Sequence, residues 1–309
     1  MLSWLRYRMA ALGLKSFSAT QTTRRLYRWL GNSFGQRRHS GVSAVDLSRG
    51  LWLCDQVKQS ELCLDKSSAV LELGTGWTHF YAVFLRLFFE TRITLFDVQD
   101  NRQLNALKRR FADLESKLAL VRPDDGQSIH RLVRQIREVR SFTELYASLG
   151  LVYVLEPNGS LAAMRDRSFD MVFSMDVLEH VQRASVPGVI SGMYRVLKPG
   201  GLCLHQIGLD DHLSHYAAGM PSKNYLRYSD GIWKAMFENE IQYFNRLQLP
   251  EFEEAFAASG FQLLSRQTED DPRSLSRIVP HAQYLRFDAS ALAATRALLT
   301  YRKPLAATS

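Results

Sequence analysis

Apolar and polar positions along this chain form a repeating order of short strands and longer helical segments. Seven stretches have the apolar runs or the alternation of β-strands, namely residues 69–73, 92–96, 151–155, 169–175, 202–207, 261–267 and 296–302. Helical spacing of apolar residues occupies 46–66, 78–89, 104–118, 129–149, 189–197 and 251–259. Because strands and helices alternate, the pattern predicts an α/β fold with a mostly parallel sheet covered by helices.

Two long segments depart from this alternation. Residues 101–149 are charged and helical, and the sequence Pro-Asp-Asp-Gly at 123–126 divides them, so they are predicted to form a helical insertion. Residues 208–249 are rich in His, Tyr, Asn and Trp, and they are predicted to form a binding site or a lid after the fifth strand. Before that strand, the sequence Lys-Pro-Gly-Gly at 198–201 predicts a stop and a turn.

The positive charge of the chain is concentrated near its N-terminus. The formal net charge is +8, and residues 1–45 contain eight basic residues and no Asp or Glu, whereas the remaining 31 basic and 31 acidic residues balance. The eight are Arg6, Arg8, Lys15, Arg24, Arg25, Arg28, Arg37 and Arg38. Apolar residues such as Trp4, Leu5, Met9 and Trp29 accompany them at roughly helical spacing. We therefore predict a basic helical N-terminal arm over residues 1–60.

Three interpretations of this arm remain open. In the one we prefer, its helices pack on the main domain and its basic residues are solvated. In the second, residues 1–45 make peripheral contact with anionic lipid or with a polyanionic substrate. The third is an organelle transit peptide, since an Arg-rich, Ser-containing segment without acidic residues also has that composition.

Composition argues against several other classes of protein. No apolar run reaches the roughly 18–20 residues that a membrane-spanning helix needs. Cys54, Cys63 and Cys203 are scattered and form no Cys-x-x-Cys pair, so neither a disulfide framework nor a zinc site is predicted. The expected location is therefore cytoplasmic, with peripheral attachment to a membrane as the alternative.

The segment after the first predicted strand has the layout of a nucleotide-binding turn. Glu72-Leu73-Gly74-Thr75-Gly76 places two glycines one residue apart, between a strand and a segment able to start a helix. A third glycine is absent, so this turn alone is a weak signal. Asp97 follows Glu72 by 25 residues and ends the second strand, where a carboxylate can accept both hydroxyls of a ribose.

Two further motifs narrow the kind of nucleotide. Residues 168–181 read Ser-Phe-Asp-Met-Val-Phe-Ser-Met-Asp-Val-Leu-Glu-His-Val, and residues 194–201 read Tyr-Arg-Val-Leu-Lys-Pro-Gly-Gly. With the first turn and Asp97, they resemble the motifs of class I S-adenosylmethionine-dependent methyltransferases, of the type 11-like kind, over about residues 67–207. Thr78 departs from the family pattern, since many members have a glycine there.

This resemblance implies a fold, a cofactor and a set of site residues. The fold is α/β, with a Rossmann-like, doubly wound, mostly parallel sheet of seven strands. The helical arm precedes a methyltransferase domain over 61–309, which has an insertion after strand five. The cofactor is S-adenosyl-L-methionine, bound by Glu72, Gly74, Thr75, Gly76, Asp97, Asn158, Met175 and Asp176. Asp97 would hold the ribose, Asn158 would border the adenine, and Met175 would lie beside the methionine portion.

Methyl transfer to a hydroxyl also needs a group that accepts the hydroxyl proton, most often His, Asp or Glu. The sequence Asp-Asp-His-Leu-Ser-His-Tyr at 210–216 directly follows the fifth strand, where open α/β sheets place their substrates. We therefore predict that His212 or His215 is the general base. His180, in the motif at 168–181, is either a further base or an architectural residue.

Aromatic, Arg and Asn side chains in the second insertion suit a wall for a sugar or another polar ring. The predicted substrate contacts are Asp211, Tyr216, Tyr225, Arg227, Trp233, Asn245 and Arg246. A lid packed on the core is the competing interpretation. A metal ion bound by Asp210, Asp211 and His215 is the least favoured alternative, so no metal site is predicted.

These features predict an S-adenosylmethionine-dependent methyltransferase that O-methylates a small-molecule or glycan-type hydroxyl. The alternatives are N- or C-methylation of a metabolite, metal-assisted O-methyl transfer, and a non-catalytic cofactor-binding partner or membrane-associated subunit. A dinucleotide oxidoreductase would leave the two later motifs unexplained. Nucleic acid is not an expected partner, because the basic excess is confined to the arm and no Asn-Pro-Pro-Tyr motif follows the fourth strand. The oligomeric state stays open.

Overall fold

The computed structural model describes residues 2–38, 41–121 and 126–305, and the structural statements below concern these residues. The strands are β1 Ala69–Leu73, β2 Arg92–Asp97, β3 Leu151–Leu155, β4 Phe169–Met175, β5 Leu197–Gly208, β6 Gln262–Asp270 and β7 Ala294–Arg302. The helices are α1 Leu2–Ser18, α2 Gln21–Arg38, α3 Ala44–Gln59, α4 Phe80–Arg86, α5 Leu104–Val121, α6 Gly126–Glu138, α7 Phe142–Leu149, α8 Val186–Val196, α9 Asp230–Met236, α10 Leu249–Ala258, α11 Pro272–Leu275 and α12 Ala289–Ala293.

The strands form a seven-stranded sheet in the order β3-β2-β1-β4-β5-β7-β6. β1 pairs in parallel with β2 and β4, and β2 pairs in parallel with β3. β7 runs antiparallel to β5, because Lys303 donates its N–H to the Gly201 carbonyl and Leu209 donates its N–H to the Thr295 carbonyl. This arrangement confirms the predicted Rossmann-like, mostly parallel sheet. Since β1 has β2 on one side and β4 on the other, the carboxyl ends of β1 and β4 lie at a switch point, where such sheets bind ligands.

The central strands are apolar on both faces, as strands of a covered parallel sheet must be. In β1, Val70, Leu71 and Leu73 are buried, and Glu72 between them is buried as well. The predicted bounds of β1, β3 and β4 agree with the structure residue for residue.

The prediction of a stop and a turn at residues 198–201 was wrong. α8 ends at Val196 and β5 begins at Leu197, so the strand starts five residues earlier than expected. Gly200 has a φ of +80° and donates its N–H to the Lys303 carbonyl, so this glycine takes part in the pairing with β7. α3 and α4 are shorter than the helical segments predicted at 46–66 and 78–89. Residues 123–125, in the predicted break before α6, lie outside the described residues.

The described residues fall into two compact units. The α1 unit contains residues 2–30, 176–191 and 205–301, and the β1 unit contains the others. The α1 helix belongs to the first unit, whereas α3 belongs to the second. The predicted division into an arm of residues 1–60 and a domain of residues 61–309 therefore differs from these units, and it stays a prediction about domains.

Each unit has its own apolar core. In the β1 unit, Leu53 and Val57 of α3 pack in one cluster with Phe84 of α4. In the α1 unit, Tyr7 and Leu14 of α1 pack with the aromatic residues of the insertion after β5, so α1 is part of a core. Among the described helices, none has the length and hydrophobicity that crossing a membrane requires.

Candidate functional site

The turn after β1 is held to the end of β2 by backbone hydrogen bonds in the β1 unit. Gly74 and Thr75 both donate their N–H groups to the Phe96 carbonyl, over 2.8 and 3.2 Å. Gly74 and Gly76 have φ values of +67° and +62°, a region that favours glycine. A Cβ atom at Gly76 would meet nothing within 4 Å. The turn thus presents bare backbone to open space, as the close approach of a nucleotide requires.

Asp97 lies beside this turn, as the sequence predicted. Its Oδ2 accepts the N–H of Gly76 over 2.9 Å, and its Oδ1 accepts the N–H of Gln99 over 3.1 Å. A carboxylate has about four lone-pair positions, so each oxygen keeps one for a ligand hydroxyl. The structure therefore brings together five of the predicted cofactor residues, which are Glu72, Gly74, Thr75, Gly76 and Asp97.

A chain of hydrogen bonds behind the turn was not predicted. Thr75 Oγ1 donates to Glu72 Oε2 over 2.7 Å and lies 2.8 Å from Nδ1 of His79. In the arrangement where Thr75 donates to Glu72, Nδ1 of His79 donates to Thr75. Nε2 of His79 then accepts from the Tyr146 hydroxyl over 2.9 Å, and that hydroxyl accepts from Arg102 over 3.3 Å. These side chains connect the turn to Tyr146 of α7 and to Arg102.

The two ionisable groups inside this chain are shifted toward their neutral forms. Burial raises the pKa of Glu72 to about 8 and lowers the pKa of His79 to about 3. His79 has a φ of +45°, an uncommon value for a residue with a side chain. In the sequence, the indication that His79 belongs to this turn was its position. It lies three residues after Gly76, where a dinucleotide-binding turn has a glycine.

The remaining predicted cofactor residues lie in different surroundings. Asn158 is exposed, and its Oδ1 accepts the N–H of Ser160 over 2.7 Å within the loop after β3. Met175 is buried at the end of β4. Asp176 belongs to the α1 unit, has a φ of +55°, and accepts a hydrogen bond from Gln206 Nε2 over 2.5 Å. The roles of these three residues stay predictions.

The three predicted catalytic histidines lie together in the α1 unit. The ring centroids of His180 and His212 are 4.9 Å apart, and those of His212 and His215 are 5.8 Å apart. Nε2 of His215 lies 2.5 Å from Oδ2 of Asp210. Asp211 caps the short 3-10 helix that carries His212 and His215, because its Oδ1 accepts the N–H of Leu213.

The histidines of this cluster differ in basicity. Burial lowers the pKa of His212 to about 4, so His212 is neutral at pH 7. The hydrogen bond that His215 donates to Asp210 raises the pKa of His215. The side chain of His215 is 61% exposed, whereas that of His212 is 11% exposed. His215 is therefore the more basic and the more accessible of the two.

Most of the predicted substrate contacts use their polar atoms inside the α1 unit. Asp211 is fully buried and accepts the Tyr7 hydroxyl over 2.7 Å. The Tyr225 hydroxyl donates to the Leu209 carbonyl over 2.9 Å. The side-chain amide of Asn245 donates to the carbonyls of Leu178 and Val181. Arg246 forms an ion pair with Asp230, and the Trp233 ring is buried.

Two of the seven predicted substrate contacts are exposed, namely Tyr216 and Arg227. Arg227 donates a hydrogen bond to the Arg277 carbonyl over 2.6 Å. No contact with a substrate is tested for any of the seven, so these assignments stay predictions. The burial of the other five favours the interpretation of a segment packed into a core.

Sequence reasoning missed two buried ionisable groups of this unit. Glu179 is 3% exposed, and its Oε1 accepts the N–H of Gly208 over 3.0 Å. Lys223 is fully buried, and its ammonium donates to the carbonyls of Leu209 and Ala294 and to Oε1 of Gln248. Glu179 had a signal in the Leu-Glu-His-Val motif, whereas Lys223 had none.

One comparison with known proteins identifies a family. A family model described as "Methyltransferase domain" matches residues 51–266. Among solved structures, a candidate sarcosine dimethylglycine methyltransferase from Galdieria sulphuraria is 16% identical, with 84% of this chain and 86% of that chain covered and a TM-score of 0.49. Phosphoethanolamine N-methyltransferase 2 of Haemonchus contortus, in complex with S-adenosyl-L-methionine, is 16% identical, with coverages of 83% and 52% and a TM-score of 0.46.

Proposed function

We propose that this protein methylates a hydroxyl group. The premise is that the chain belongs to the methyltransferase-domain family and is a class I S-adenosylmethionine-dependent methyltransferase. The acceptor would be a small molecule or a glycan-type molecule. The observation that carries the proposal is the pair of Asp210 and His215, an exposed imidazole held by a carboxylate. Such a pair supplies the proton acceptor that a hydroxyl substrate needs.

The residues around the turn after β1 fit S-adenosylmethionine. Open space over Gly76 admits a ligand against the backbone, and Asp97 retains lone pairs for the two ribose hydroxyls. When bound, this cofactor supplies a methyl group already activated on a positively charged sulfur. The protein then has to orient the acceptor, exclude water and remove one proton.

In this proposal, His215 removes that proton. Its Nε2–H donates to Asp210, which leaves the lone pair of Nδ1 free to accept a proton. Nδ1 of His215 would take the proton of the acceptor O–H as that oxygen receives the methyl group from the cofactor's sulfur. Asp210 stabilises the imidazolium that results. His212 is the weaker candidate for the base, because its low pKa makes it a poor proton acceptor at pH 7.

The test begins with finding an acceptor by incubating the protein with methyl-labelled cofactor and fractions of a cell extract. His215→Ala is expected to lower kcat by roughly 10²–10⁴-fold, the usual contribution of a general base. His130→Ala is the matched control, since His130 is an exposed histidine that also contacts a carboxylate, that of Glu115 over 2.6 Å. Full turnover by His215→Ala would refute the proposed base.

Two further measurements test the reaction itself. NMR of the labelled product distinguishes an O-methyl from an N-methyl or C-methyl group, and a product without an O-methyl group contradicts the proposal. Calorimetry is expected to show binding of S-adenosylmethionine that is lost in Asp97→Ala and in Gly74→Val. Gly74→Val should fail because a β-branched residue is strained at a φ of +67°.

We also propose that α1 attaches the protein to an anionic membrane surface. Opposite its buried face, α1 carries the exposed residues Leu2, Leu5, Met9 and Leu12, which are 62%, 51%, 62% and 60% exposed. Their spacing of three and four residues puts them on one side of the helix. Arg6 and Arg8 flank this apolar stripe, and no acidic residue occurs in the first 45 residues. Apolar area edged by basic residues suits the interface of an anionic bilayer.

Sedimentation with lipid vesicles tests this attachment. The protein is expected to bind vesicles containing phosphatidylserine more tightly than pure phosphatidylcholine vesicles, and to be released by salt. The double variant with Leu5→Glu and Met9→Glu should lose at least 10-fold in affinity. Val279→Glu, at a position in the same unit that is 84% exposed, serves as the control. Equal binding by the double variant, or none by the wild type, contradicts the attachment.

A further inference from the structure

We propose that Glu179, His180 and His212 bind a divalent transition-metal ion of the zinc type. One carboxylate oxygen and one nitrogen from each ring lie within 4.8 Å of one another. Two imidazoles and one carboxylate are a common ligand set of catalytic zinc. With bonds of about 2.0–2.2 Å, the donors of one zinc ion stand roughly 3–3.5 Å apart, so small ring movements would complete the site.

The first support is an unpaired carboxylate oxygen. Oε1 of Glu179 accepts the N–H of Gly208, but the buried Oε2 has no hydrogen-bond partner among the described residues. A buried carboxylate that is not fully paired is costly, and a cation beside Oε2 would remove that cost. Gly208 leaves room for the carboxylate, because a Cβ atom there would lie 2.7 Å from Oε1.

The second support is the orientation of the histidines. Nδ1 of His180 lies 2.6 Å from the Tyr243 carbonyl and donates to it, which leaves the lone pair on Nε2. Metal-binding histidines usually donate their other N–H in this way, to a carbonyl or a carboxylate. Oδ1 of Asp210 lies 4.0 Å from Nε2 of His212 and adds negative charge near the three donors.

The third support is access for a ligand. Glu179 is buried and His212 is half-buried, but His180 is exposed, so the cluster borders solvent at His180. An ion held by three protein ligands keeps a position for a further oxygen ligand. This trio differs from the metal alternative of the sequence, which used Asp210, Asp211 and His215.

The role of the ion rests on the proposed function, although its binding does not. A metal-bound hydroxyl is more acidic than a free one. The acceptor O–H would give its proton to His215, the oxygen held by the ion would form the new C–O bond, and the C–S bond of the cofactor would break. The ion neither gains nor loses electrons.

The test is titration of metal-stripped protein with Zn²⁺ by calorimetry and with Co²⁺ by visible absorption. One ion per chain is expected, with absorption bands of nitrogen- and oxygen-bound Co²⁺. His180→Ala and Glu179→Gln should each weaken binding by at least 10–100-fold. His130→Ala, the histidine outside the trio, should bind as the wild type does. Because Glu179 is buried, the variant of the exposed His180 decides the outcome if Glu179→Gln does not fold.

Two results would overturn the inference. One is unchanged affinity for both ions in His180→Ala, and the other is no binding of either ion by folded wild-type protein that still binds S-adenosylmethionine. Loss of methyl transfer in a chelator, with recovery on adding Zn²⁺, supports the catalytic role. O-methylation that persists in the stripped protein removes that role and leaves the proposed function standing. An N-methyl product would instead contradict the proposed function and leave metal binding intact.

Discussion

Replacing Tyr7 by Phe would remove one buried hydroxyl that joins α1 to the loop after β5. Tyr7 is fully buried, and its hydroxyl donates to Oδ2 of Asp211 over 2.7 Å. Burial raises the pKa of Tyr7, so the hydroxyl keeps its proton throughout the neutral range. Burial also raises the pKa of Asp211, to about 7. The strength of this hydrogen bond therefore depends on whether Asp211 is charged.

The stability lost in Tyr7→Phe should grow with pH. The raised pKa means that native Asp211 holds a proton that the unfolded chain releases near pH 4, so the wild type loses stability as the pH rises from about 4 to about 7. In Tyr7→Phe, Asp211 lacks the hydroxyl that donates to it and therefore keeps its proton up to a still higher pH. The variant thus continues to lose stability as the pH rises above 7. We expect the variant to lose about 1 kcal/mol at pH 5, where the bond is neutral, and about 2–3 kcal/mol at pH 9.

Urea unfolding of both proteins at pH 5, 7 and 9 measures these differences. Tyr225→Phe is the matched control, because Tyr225 is a buried tyrosine of the same core whose hydroxyl donates to a carbonyl, that of Leu209. A bond to this uncharged acceptor should change less with pH than the bond to Asp211 does. A Tyr7→Phe effect that does not change between pH 5 and 9 would refute the reasoning about Asp211.

Three glycine substitutions test packing and backbone freedom, the first two by urea unfolding and the third by Zn²⁺ titration. Gly50→Ala should cost about 1–3 kcal/mol, since its Cβ atom would lie 2.8 Å from the Phe84 ring; an unchanged midpoint contradicts this. Gly13→Ala in α1, with nothing within 4 Å, should stabilise by about 0.5–1 kcal/mol, and a loss would show an unseen contact. Gly208→Ala should also weaken Zn²⁺ binding, because it displaces Glu179; unaltered affinity contradicts that arrangement.

The parts of the fold that local sequence determines were predictable. β1 and β4 are buried on both faces, and a buried parallel strand is a short apolar run that stands out between polar turns. The turn after β1 was predictable because Gly74 and Gly76 occupy a backbone region that few other residues enter. Asp97 followed from the order of strands, since parallel strands end at the same edge of the sheet.

The parts that join distant residues were not predictable. His79 and Tyr146 are 67 residues apart, and Tyr7 and Asp211 are 204 apart, so no local pattern reports either hydrogen bond. The aromatic residues of the insertion suggested a substrate wall, yet Tyr225 and Trp233 lie in a core. The polar atom of a Tyr or Trp side chain can form its hydrogen bond with a ligand or with a buried carbonyl. Composition alone does not distinguish these two cases.

The placement of α1 bears on the interpretation of the basic arm as a removable transit peptide. Tyr7, Ala11 and Leu14 fill part of the core of the α1 unit, so loss of α1 would expose the aromatic residues packed against them. The same loss would leave Asp211, the residue before His212, buried without the hydroxyl that now donates to it. One face of α1 thus supports the histidine loop while the opposite face carries the exposed apolar stripe. Membrane attachment through that stripe would therefore leave the loop's support intact, whereas cleavage would remove it.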